Sequence, residues 1–280
     1  MKALSFQTFR CVFLTAVALA GTVIGGGLFF RLSRQATVLP AESLTVRGEV
    51  RQYRLAIPRW REGRMPAPVL FVFHGAIDTT EQAAEYTQLD RLASSQGVYV
   101  VYPQGRFLNW PPSIPPENPE CIEPDLAFFD ALCRELAHRY PVDTKRVYVT
   151  GMSQGAAFVN LLVARRSEKI AAAASHSGWL PDPLGDGPLH TRRKCPLLFI
   201  AGAEDRQVPP AAVREAYDCF RREGHPVEFL MIEGLGHHWA LEHDINPKIW
   251  RFLSPHRLSE RMHPPGRRDR SERCPRSVDH

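Results

Sequence analysis

Short apolar runs that alternate with helical patterns constrain the fold of this chain most. Seven short runs are strand candidates, most of them rich in β-branched or aromatic residues, and several are apolar throughout, as in parallel strands covered on both faces. They span residues 49–57, 69–73, 98–102, 147–150, 171–174, 197–201 and 227–232. Helical patterns occupy residues 81–95, 125–139, 154–167, 211–223 and 247–253. The alternation predicts an α/β fold with a mostly parallel, doubly wound sheet in one domain over residues 45–253.

Three further segments lie outside this pattern. Residues 35–45 are predicted to form a short linker before the domain. Residues 106–124 contain six prolines and follow the predicted strand at 98–102. That segment leaves the sheet at a carboxyl end, where α/β proteins bind ligands. Residues 254–280 are polar and rich in arginine, which predicts a basic, disordered tail.

The first 34 residues are typical of a targeting segment. Lys2 and Arg10 precede residues 11–30, which contain no charge and are long enough to span a bilayer. Ala18-Leu19-Ala20 supplies the small-x-small pattern of a signal-peptide cleavage site. The segment is therefore predicted to be either a cleaved signal peptide or an anchor that associates with a membrane through residues 11–30. In both cases the protein is secreted or periplasmic.

Charge and cysteine content limit the partners and the compartment. The formal net charge is +5, but the excess is concentrated in the tail, and no basic helix carries interleaved aromatics. Nucleic-acid binding is therefore not expected. Cys121, Cys133, Cys195 and Cys219 could form up to two disulfides in an oxidising compartment, with three pairings open, or remain buried thiols. Their spacing fits no zinc site, so neither a metal nor another cofactor is predicted.

One strand candidate runs directly into a Gly-x-Ser-x-Gly pattern. Residues 147–158 read VYVTGMSQGAAF, with Gly151 and Gly155 flanking Ser153. In a nucleophile elbow, a serine occupies the sharp turn between a strand and a helix, where flanking side chains would clash. Residues 146–150 supply the strand, and residues 156–164 favour a helix. Ser153 is therefore the candidate nucleophile.

A serine nucleophile of this type needs an acid and a histidine after later strands. Asp205 follows the predicted strand at 197–201 and is the candidate acid, with Glu204 as the alternative. His237 and His238 both follow the strand at 227–232, and spacing does not choose the general base between them. All three parts occur in the required chain order.

The same chemistry needs two backbone N–H groups that stabilise a developing oxyanion. The residue after the nucleophile, Gln154, is predicted to supply one, and Ala76 in the loop after the strand at 69–73 the other. Gly75 allows the backbone to approach closely. His74 is predicted to be a structural histidine of this turn.

Several motifs together resemble the polyhydroxybutyrate depolymerase and feruloyl esterase family of α/β-hydrolases. They are FVFHG at 71–75, VYPQG at 101–105 with Trp110, DLAF at 125–128, RVYVTGMS at 146–153 and GHHW at 236–239. The resemblance covers about residues 45 to 253 and implies secreted hydrolases of polyester or plant cell-wall esters. It selects His237 as the base, since in that family one residue separates the histidine from a tryptophan. It also places Trp110 and Trp239 beside the substrate cleft, although core packing is the alternative.

The chain departs from that family at Gly155-Ala156, where the family has Gly-Gly, and at Pro124-Asp125, where it has Asp-Asp. Both departures are expected near the cleft. The expected function is hydrolysis of a carboxylic ester, of polyhydroxyalkanoate, feruloyl or acetyl type. A peptidase or amidase of the same superfamily is the first alternative. A non-catalytic cell-surface binding protein on a hydrolase fold is the second.

Overall fold

The computed structural model describes residues 37–38, 40–58, 66–111, 122–181, 189 and 191–259. The predicted targeting segment, Cys121 and most of the predicted tail lie outside these residues. Within them, no helix combines the length and the apolar character needed to cross a membrane.

Nine strands form one sheet, and all but one run in the same direction. They are β1 (Thr37–Val38), β2 (Glu42–Val46), β3 (Glu49–Ile57), β4 (Ala67–Phe73), β5 (Tyr99–Pro103), β6 (Val142–Met152), β7 (Ala172–His176), β8 (Leu197–Gly202) and β9 (Val227–Ile232). The order across the sheet is β1-β3-β5-β4-β6-β7-β8-β9, with β2 also paired to β3. β3 runs opposite to the other described strands, so its pairs with β1, β2 and β5 are antiparallel. The predicted mostly parallel sheet is confirmed.

Helices cover both faces of this sheet, as a doubly wound fold requires. They are α1 (Thr80–Thr87), α2 (Arg91–Gln96), α3 (Glu123–Arg139), α4 (Gln154–Arg166), α5 (Pro210–Arg222) and α6 (Ile245–Leu253). Side chains of α3, α4 and α5 pack in one apolar core with β4 and β8. Those of α1, α2 and α6 pack in a second core on the opposite face. The two cores hold the sheet between them, so the carboxyl ends of the parallel strands form one rigid edge.

Two predictions of local structure were wrong. The helix expected at 81–95 is divided into α1 and α2, because Gln88 adopts a left-handed backbone conformation and ends α1 by bonding to the Ala84 carbonyl. The linker expected at 35–45 contains β1 and most of β2, both paired to β3. The residues of β2 alternate in burial, but a strand of five residues is too short to show a clear alternating pattern in the sequence.

The domain also extends past the boundary predicted at residue 253. The Tyr148 hydroxyl donates to the His256 carbonyl at 2.8 Å, and the Leu258 amide donates to the Lys145 carbonyl at 2.9 Å. Arg257 pairs with Asp143 at 2.6 Å. Residues 254–259 therefore pack along β6, and the part of the predicted tail beyond them lies outside the described residues.

The predicted disulfides are not formed by the cysteines that the structure describes. Cys133, Cys195 and Cys219 are free thiols within α3, beside β8 and within α5. Each packs in or against the same apolar core. Burial raises the pKa of Cys133 and of Cys195 to about 12, so both stay protonated. They act as small apolar core residues, and Cys121 lies outside the described residues.

A buried ion pair joins β3 to the start of α3. Arg51 and Asp125 lie 2.6 Å apart, with side chains 6% and 3% exposed. The Arg51 guanidinium also donates to the Gln104 carbonyl at 3.0 Å and lies 4.2 Å from the centre of the Phe128 ring. Asp125 was expected near the cleft, but it instead holds Arg51 against the loop that follows β5.

Removing Asp125 should leave the Arg51 charge buried without its partner. We expect Asp125→Ala to lower the free energy of unfolding by about 3–5 kcal/mol, as for other buried pairs that lose one member. Urea denaturation at pH 7 measures this change. The matched control is Glu81→Ala, which removes the exposed partner of Arg54 and should cost less than about 1 kcal/mol. Equal effects of the two substitutions would contradict this account.

Candidate active site

Ser153 lies at a sharp turn between β6 and α4. Its backbone has φ 56° and ψ −122°, a combination that side-chain-bearing residues rarely adopt and that costs about 1–3 kcal/mol. Its amide donates to the carbonyl of His176, at the end of β7, at 2.9 Å. Ser153 therefore occupies the turn between a strand and a helix, and its side chain borders a cavity.

The glycines on either side of Ser153 are sterically required. A Cβ on Gly155 would lie 2.3 Å from the Phe73 carbonyl oxygen and 2.4 Å from that of His74. A Cβ on Gly151 would lie 2.7 Å from the Gly155 backbone. The elbow therefore packs directly on the end of β4.

Ala156 faces inward and fits because Gly178, its neighbour, has no Cβ. The expectation that Ala156 borders the cleft was wrong.

His237 and Asp205 converge on Ser153 from the loops after β9 and β8. His237 Nε2 lies 3.0 Å from Ser153 Oγ, and His237 Nδ1 lies 2.8 Å from Asp205 Oδ2. These are the distances required between a nucleophile, a general base and the acid that orients the base. The three residues are separated by 84 and 32 positions along the chain.

Asp205 is built to remain a carboxylate. It is 3% exposed, and its Oδ1 accepts the amides of Gln207 and Val208 at 3.0 and 2.9 Å. Burial alone would raise the pKa of Asp205, but hydrogen bonds from His237 and the Val208 amide outweigh it and hold the pKa below the usual range. The carboxylate can therefore accept a hydrogen bond from the His237 Nδ1–H group and fix which imidazole nitrogen faces Ser153.

The alternative acid and base are placed elsewhere. Glu204 is exposed, and its neighbour Asp205 takes the position beside the imidazole. His238 Nε2 lies 2.7 Å from Glu242 Oε1, and both side chains are more than half exposed. Within this geometry, Asp205 and His237 are the pair that can act on Ser153.

An open cavity of about 360 Å³ lies above these residues. Its lining comprises Gly75, Ala76, Asp78, Tyr86, Met152, Ser153, Gln207, His237, His238 and Trp239. Ala76 follows β4 and borders the cavity beside Ser153. Gln154 is the first residue of α4, whose N-terminal end carries the partial positive charge that favours an anion. Ala76 and Ser153 thus line the same cavity, and Gln154 directly follows Ser153 in the chain.

A hydrogen-bond network, centred on His74, joins the loops after β4 and β5. His74 Nδ1 is 2.6 Å from the Gly75 carbonyl, and its Nε2 accepts the Gly105 amide at 2.9 Å. Gln104 bonds to the His74 ring, to the Asp78 carbonyl and to the Thr80 amide. His74 is buried, and burial lowers its pKa. The prediction that His74 is structural is confirmed, whereas the role of Gln104 has no local sequence signal.

The two tryptophans have different positions. Trp239 lines the cavity. Trp110 is 1% exposed and packs in the core, 4.8 Å from the Phe158 ring centre and 5.1 Å from that of Phe73. Its amide donates to Gln154 Oε1 at 2.9 Å, so Trp110 supports the start of α4 from below. Among the described residues Trp110 does not border the cavity, in contrast to the expectation.

His176 is a fully buried histidine behind the site that the sequence motifs did not indicate. Its ring stacks on Trp239 with centres 5.0 Å apart, and neither ring nitrogen has a hydrogen-bond partner among the described residues. Burial, above all, lowers the pKa of His176 to about 3. The ring is therefore a neutral packing element behind Trp239.

The pKa of His176 is lower in the folded protein than the value of about 6.5 expected in the unfolded chain. At pH values between these two pKa values, the neutral His176 ring must therefore take up a proton when the protein unfolds. Its contribution to stability is complete above pH 6.5 and falls with decreasing pH by about 1.4 kcal/mol per unit. His176→Phe should remove this dependence while keeping the stacking on Trp239. In urea denaturation, the stability of the variant relative to the wild type should rise by about 2.7 kcal/mol between pH 7.5 and pH 4.5. Parallel stability curves would contradict this assignment.

Comparisons with known proteins find similar hydrolases and esterases. Residues 117–249, just under half of the chain, match the profile of the dienelactone hydrolase family. The protein named "Putative esterase NocK" from Nocardia uniformis subsp. tsuyamanensis is 32% identical over 177 residues, covering 59% of this chain and 48% of its own. Feruloyl esterase B from Piromyces equi is 26% identical over 166 residues, covering 56% and 30%. The chain thus spans about half, or less, of the length of these relatives.

Solved structures show the same fold. A ferulic acid esterase superposes with a TM-score of 0.61 at 20% identity, covering 79% of this chain and 98% of that one. Together with the sheet order and helix placement, these matches confirm the predicted α/β-hydrolase fold and the recognised likeness to feruloyl esterases.

Proposed function

We propose that this chain, an α/β-hydrolase with a dienelactone hydrolase family domain over residues 117–249, is a serine esterase that hydrolyses carboxylic esters through an acyl-enzyme. The observation that carries the proposal is the continuous contact from Asp205 through His237 to Ser153, at 2.8 and 3.0 Å. A serine hydroxyl is a weak nucleophile unless a positioned base takes its proton. The contact supplies such a base next to an open cavity.

In the first half of the reaction, Ser153 Oγ attacks the ester carbonyl carbon while His237 Nε2 takes the hydroxyl proton. Asp205 keeps the other imidazole proton on Nδ1 and stabilises the imidazolium that forms. The amides of Gln154 and Ala76 donate to the carbonyl oxygen as it becomes an oxyanion. The C–O bond to the alcohol then breaks, and His237 returns the proton to the departing alkoxide oxygen.

In the second half, a water molecule takes the place of the alcohol. His237 removes a proton from it as its oxygen attacks the acyl carbon bound to Ser153 Oγ. The second tetrahedral intermediate uses the same two amides. Its collapse breaks the bond to Ser153, whose oxygen regains the proton from His237, and releases the carboxylic acid.

The substrate class follows from the relatives and the cavity. Relatives named feruloyl esterase and bifunctional acetylxylan esterase/xylanase are 26% and 29% identical over the matched regions. Among the lining residues, Asp78, Tyr86 and Gln207 supply polar side chains that can receive an ester of a hydroxylated alcohol. We therefore propose feruloyl, acetyl or hydroxyalkanoate esters as substrates.

A substrate panel tests the function. The purified protein is assayed with p-nitrophenyl esters, methyl ferulate, acetylated xylan and short hydroxybutyrate oligomers, and a peptide p-nitroanilide is included. The proposal expects ester hydrolysis that exceeds amide hydrolysis. Preferential cleavage of the p-nitroanilide would support the peptidase alternative. No turnover of any compound, with no labelling by a fluorophosphonate, would support the binding-protein alternative.

We also propose that the protein acts outside the cytoplasm. The support is the charge pattern and the uncharged stretch of residues 11–30, all outside the described residues. Expression in a bacterial host, followed by fractionation and N-terminal sequencing, tests export. A mature chain beginning after Ala20 indicates cleavage, an intact membrane-bound chain indicates an anchor, and an intact cytoplasmic chain refutes export.

A further inference from the structure

Three exposed apolar residues, in the loop after β4 that borders the cavity and in the loop after β5 that bonds to it, have backbone conformations that disfavour their own side chains. Ile77, Phe107 and Leu108 have φ values of 65°, 50° and 61°. The three residues are 72%, 87% and 38% exposed. Positive φ is rare for residues other than glycine, asparagine and aspartate, and a β-branched residue there is an outlier. We call these three residues the apolar rim.

The turn that carries two of them is of a type that normally has other residues. Phe107 and Leu108 are the central pair of a four-residue turn that the Asn109 amide closes on the Arg106 carbonyl at 2.9 Å. Positive φ at both central positions is typical of a type I′ turn, in which Asn-Gly is strongly preferred. Neither local conformation nor core packing favours Phe-Leu at these exposed positions. Their presence therefore indicates a role outside the folding of the turn.

The apolar rim is held rigidly. The Ile77 amide donates to the Leu108 carbonyl at 2.8 Å, which joins the loops after β4 and β5. The Arg106 guanidinium lies 5.7 Å from the centre of the Phe107 ring and is itself paired with Glu49 at 2.7 Å. Asn109 Nδ2 also donates to the Phe107 carbonyl at 2.7 Å. A rigid apolar surface loses little entropy on binding, which favours recognition.

The position of the apolar rim defines what it can bind. Ile77 lies between Ala76 and Asp78 in the chain, and both of those residues line the cavity. A group attached to a carbonyl at Ser153 that extends past Ala76 would therefore meet the rim. Three side chains are far fewer than the roughly 20–30 residues a side of a stable protein interface. They suffice to cover one aromatic ring or alkyl chain.

We propose that the apolar rim is a specificity subsite that binds an aryl or alkyl group of the ester, outside the cavity. This inference rests on the proposed esterase function, and it adds that efficient substrates carry such a group beside the scissile ester. The opposing view is that the three side chains only stabilise the two loops.

The double substitution Phe107→Asn with Leu108→Gly separates these views, because it installs the residues that the turn prefers. The experiment measures pH-stat kinetics with three esters. Methyl acetate has no phenyl ring, methyl 3-phenylpropanoate has one on the acyl group, and benzyl acetate has one on the alcohol. We expect kcat/KM for at least one aryl ester to fall about tenfold, mainly through KM, with methyl acetate unchanged within about twofold. The melting temperature should rise by about 2–4 °C. Met231→Thr, which removes an exposed apolar side chain from β9, is the control and should change no ratio.

Each other outcome overturns the inference in a recognisable way. An unchanged ratio of aryl ester to methyl acetate would refute the subsite and leave the esterase function intact. A lower melting temperature with equal losses on all three esters would show that the rim is structural. Binding of wild type but not the variant to phosphatidylcholine vesicles, with unchanged ester ratios, would assign the rim to lipid. No hydrolysis of any ester by the wild type would refute the esterase function itself.

Discussion

Replacing Ser153 by alanine should lower kcat for ester hydrolysis by about 10⁵- to 10⁶-fold, the loss seen when a serine hydrolase loses its nucleophile. Without the Ser153 hydroxyl, His237 has no group to deprotonate and no acyl-enzyme can form. The amides of Gln154 and Ala76 remain in place, so hydrolysis by water should still exceed the uncatalysed rate by about 10³- to 10⁴-fold. The measurement is the steady-state rate with p-nitrophenyl acetate.

The control for this substitution is Ser95→Ala, since Ser95 is exposed and, within the described part of the chain, its hydroxyl bonds to the Arg91 carbonyl of α2. That variant should retain wild-type activity. Circular dichroism and thermal unfolding should show both variants folded. If folded Ser153→Ala protein hydrolysed the ester at the wild-type rate, the nucleophile would be another residue.

Replacing His237 by alanine should have an effect of the same size, about 10⁵-fold or more on kcat, because the residues of such a site act as a unit. His238→Ala is a matched control, since the two histidines are adjacent but only His237 contacts Ser153 and Asp205. His238 contacts the exposed Glu242 and lines the cavity. Its loss should change kcat/KM by less than about tenfold, mainly through KM.

The two histidine variants should also differ when combined with Ser153→Ala. A His237→Ala and Ser153→Ala double variant should be no slower than either single variant, because each loss already disables the same step. His238→Ala should lower kcat/KM by the same small factor in the wild type and in Ser153→Ala. A larger loss from His238→Ala than from His237→Ala would reverse the assignment of the base.

The residues proposed for catalysis were accessible from the sequence because each follows a strand signal. Ser153 follows a buried strand within a glycine-flanked turn, and Asp205 and His237 follow two later strands. Parallel strands end at one edge of a sheet, so chain order alone predicts that these side chains meet. The adjacent His238 could not be separated from His237 by spacing. The structure separates them through the contacts of each ring.

Features that depend on pairing between distant segments could not be predicted from the sequence. The Arg51–Asp125 pair joins residues 74 positions apart, and neither has a local pattern that indicates its partner. Trp110 was expected in the cleft from its motif alone, but its burial follows from packing against Phe158 and Phe73. The apolar rim arises from backbone angles that a Phe-Leu pair would not suggest.

The most direct test of the account is covalent labelling of the nucleophile. Wild-type protein is treated with a fluorophosphonate, digested and analysed by tandem mass spectrometry, with Ser153→Ala and His237→Ala treated in parallel. The account predicts one adduct, on Ser153, that is absent from Ser153→Ala and forms far more slowly in His237→Ala. An adduct on another serine, or wild-type protein that remains unlabelled while it hydrolyses esters, would contradict it.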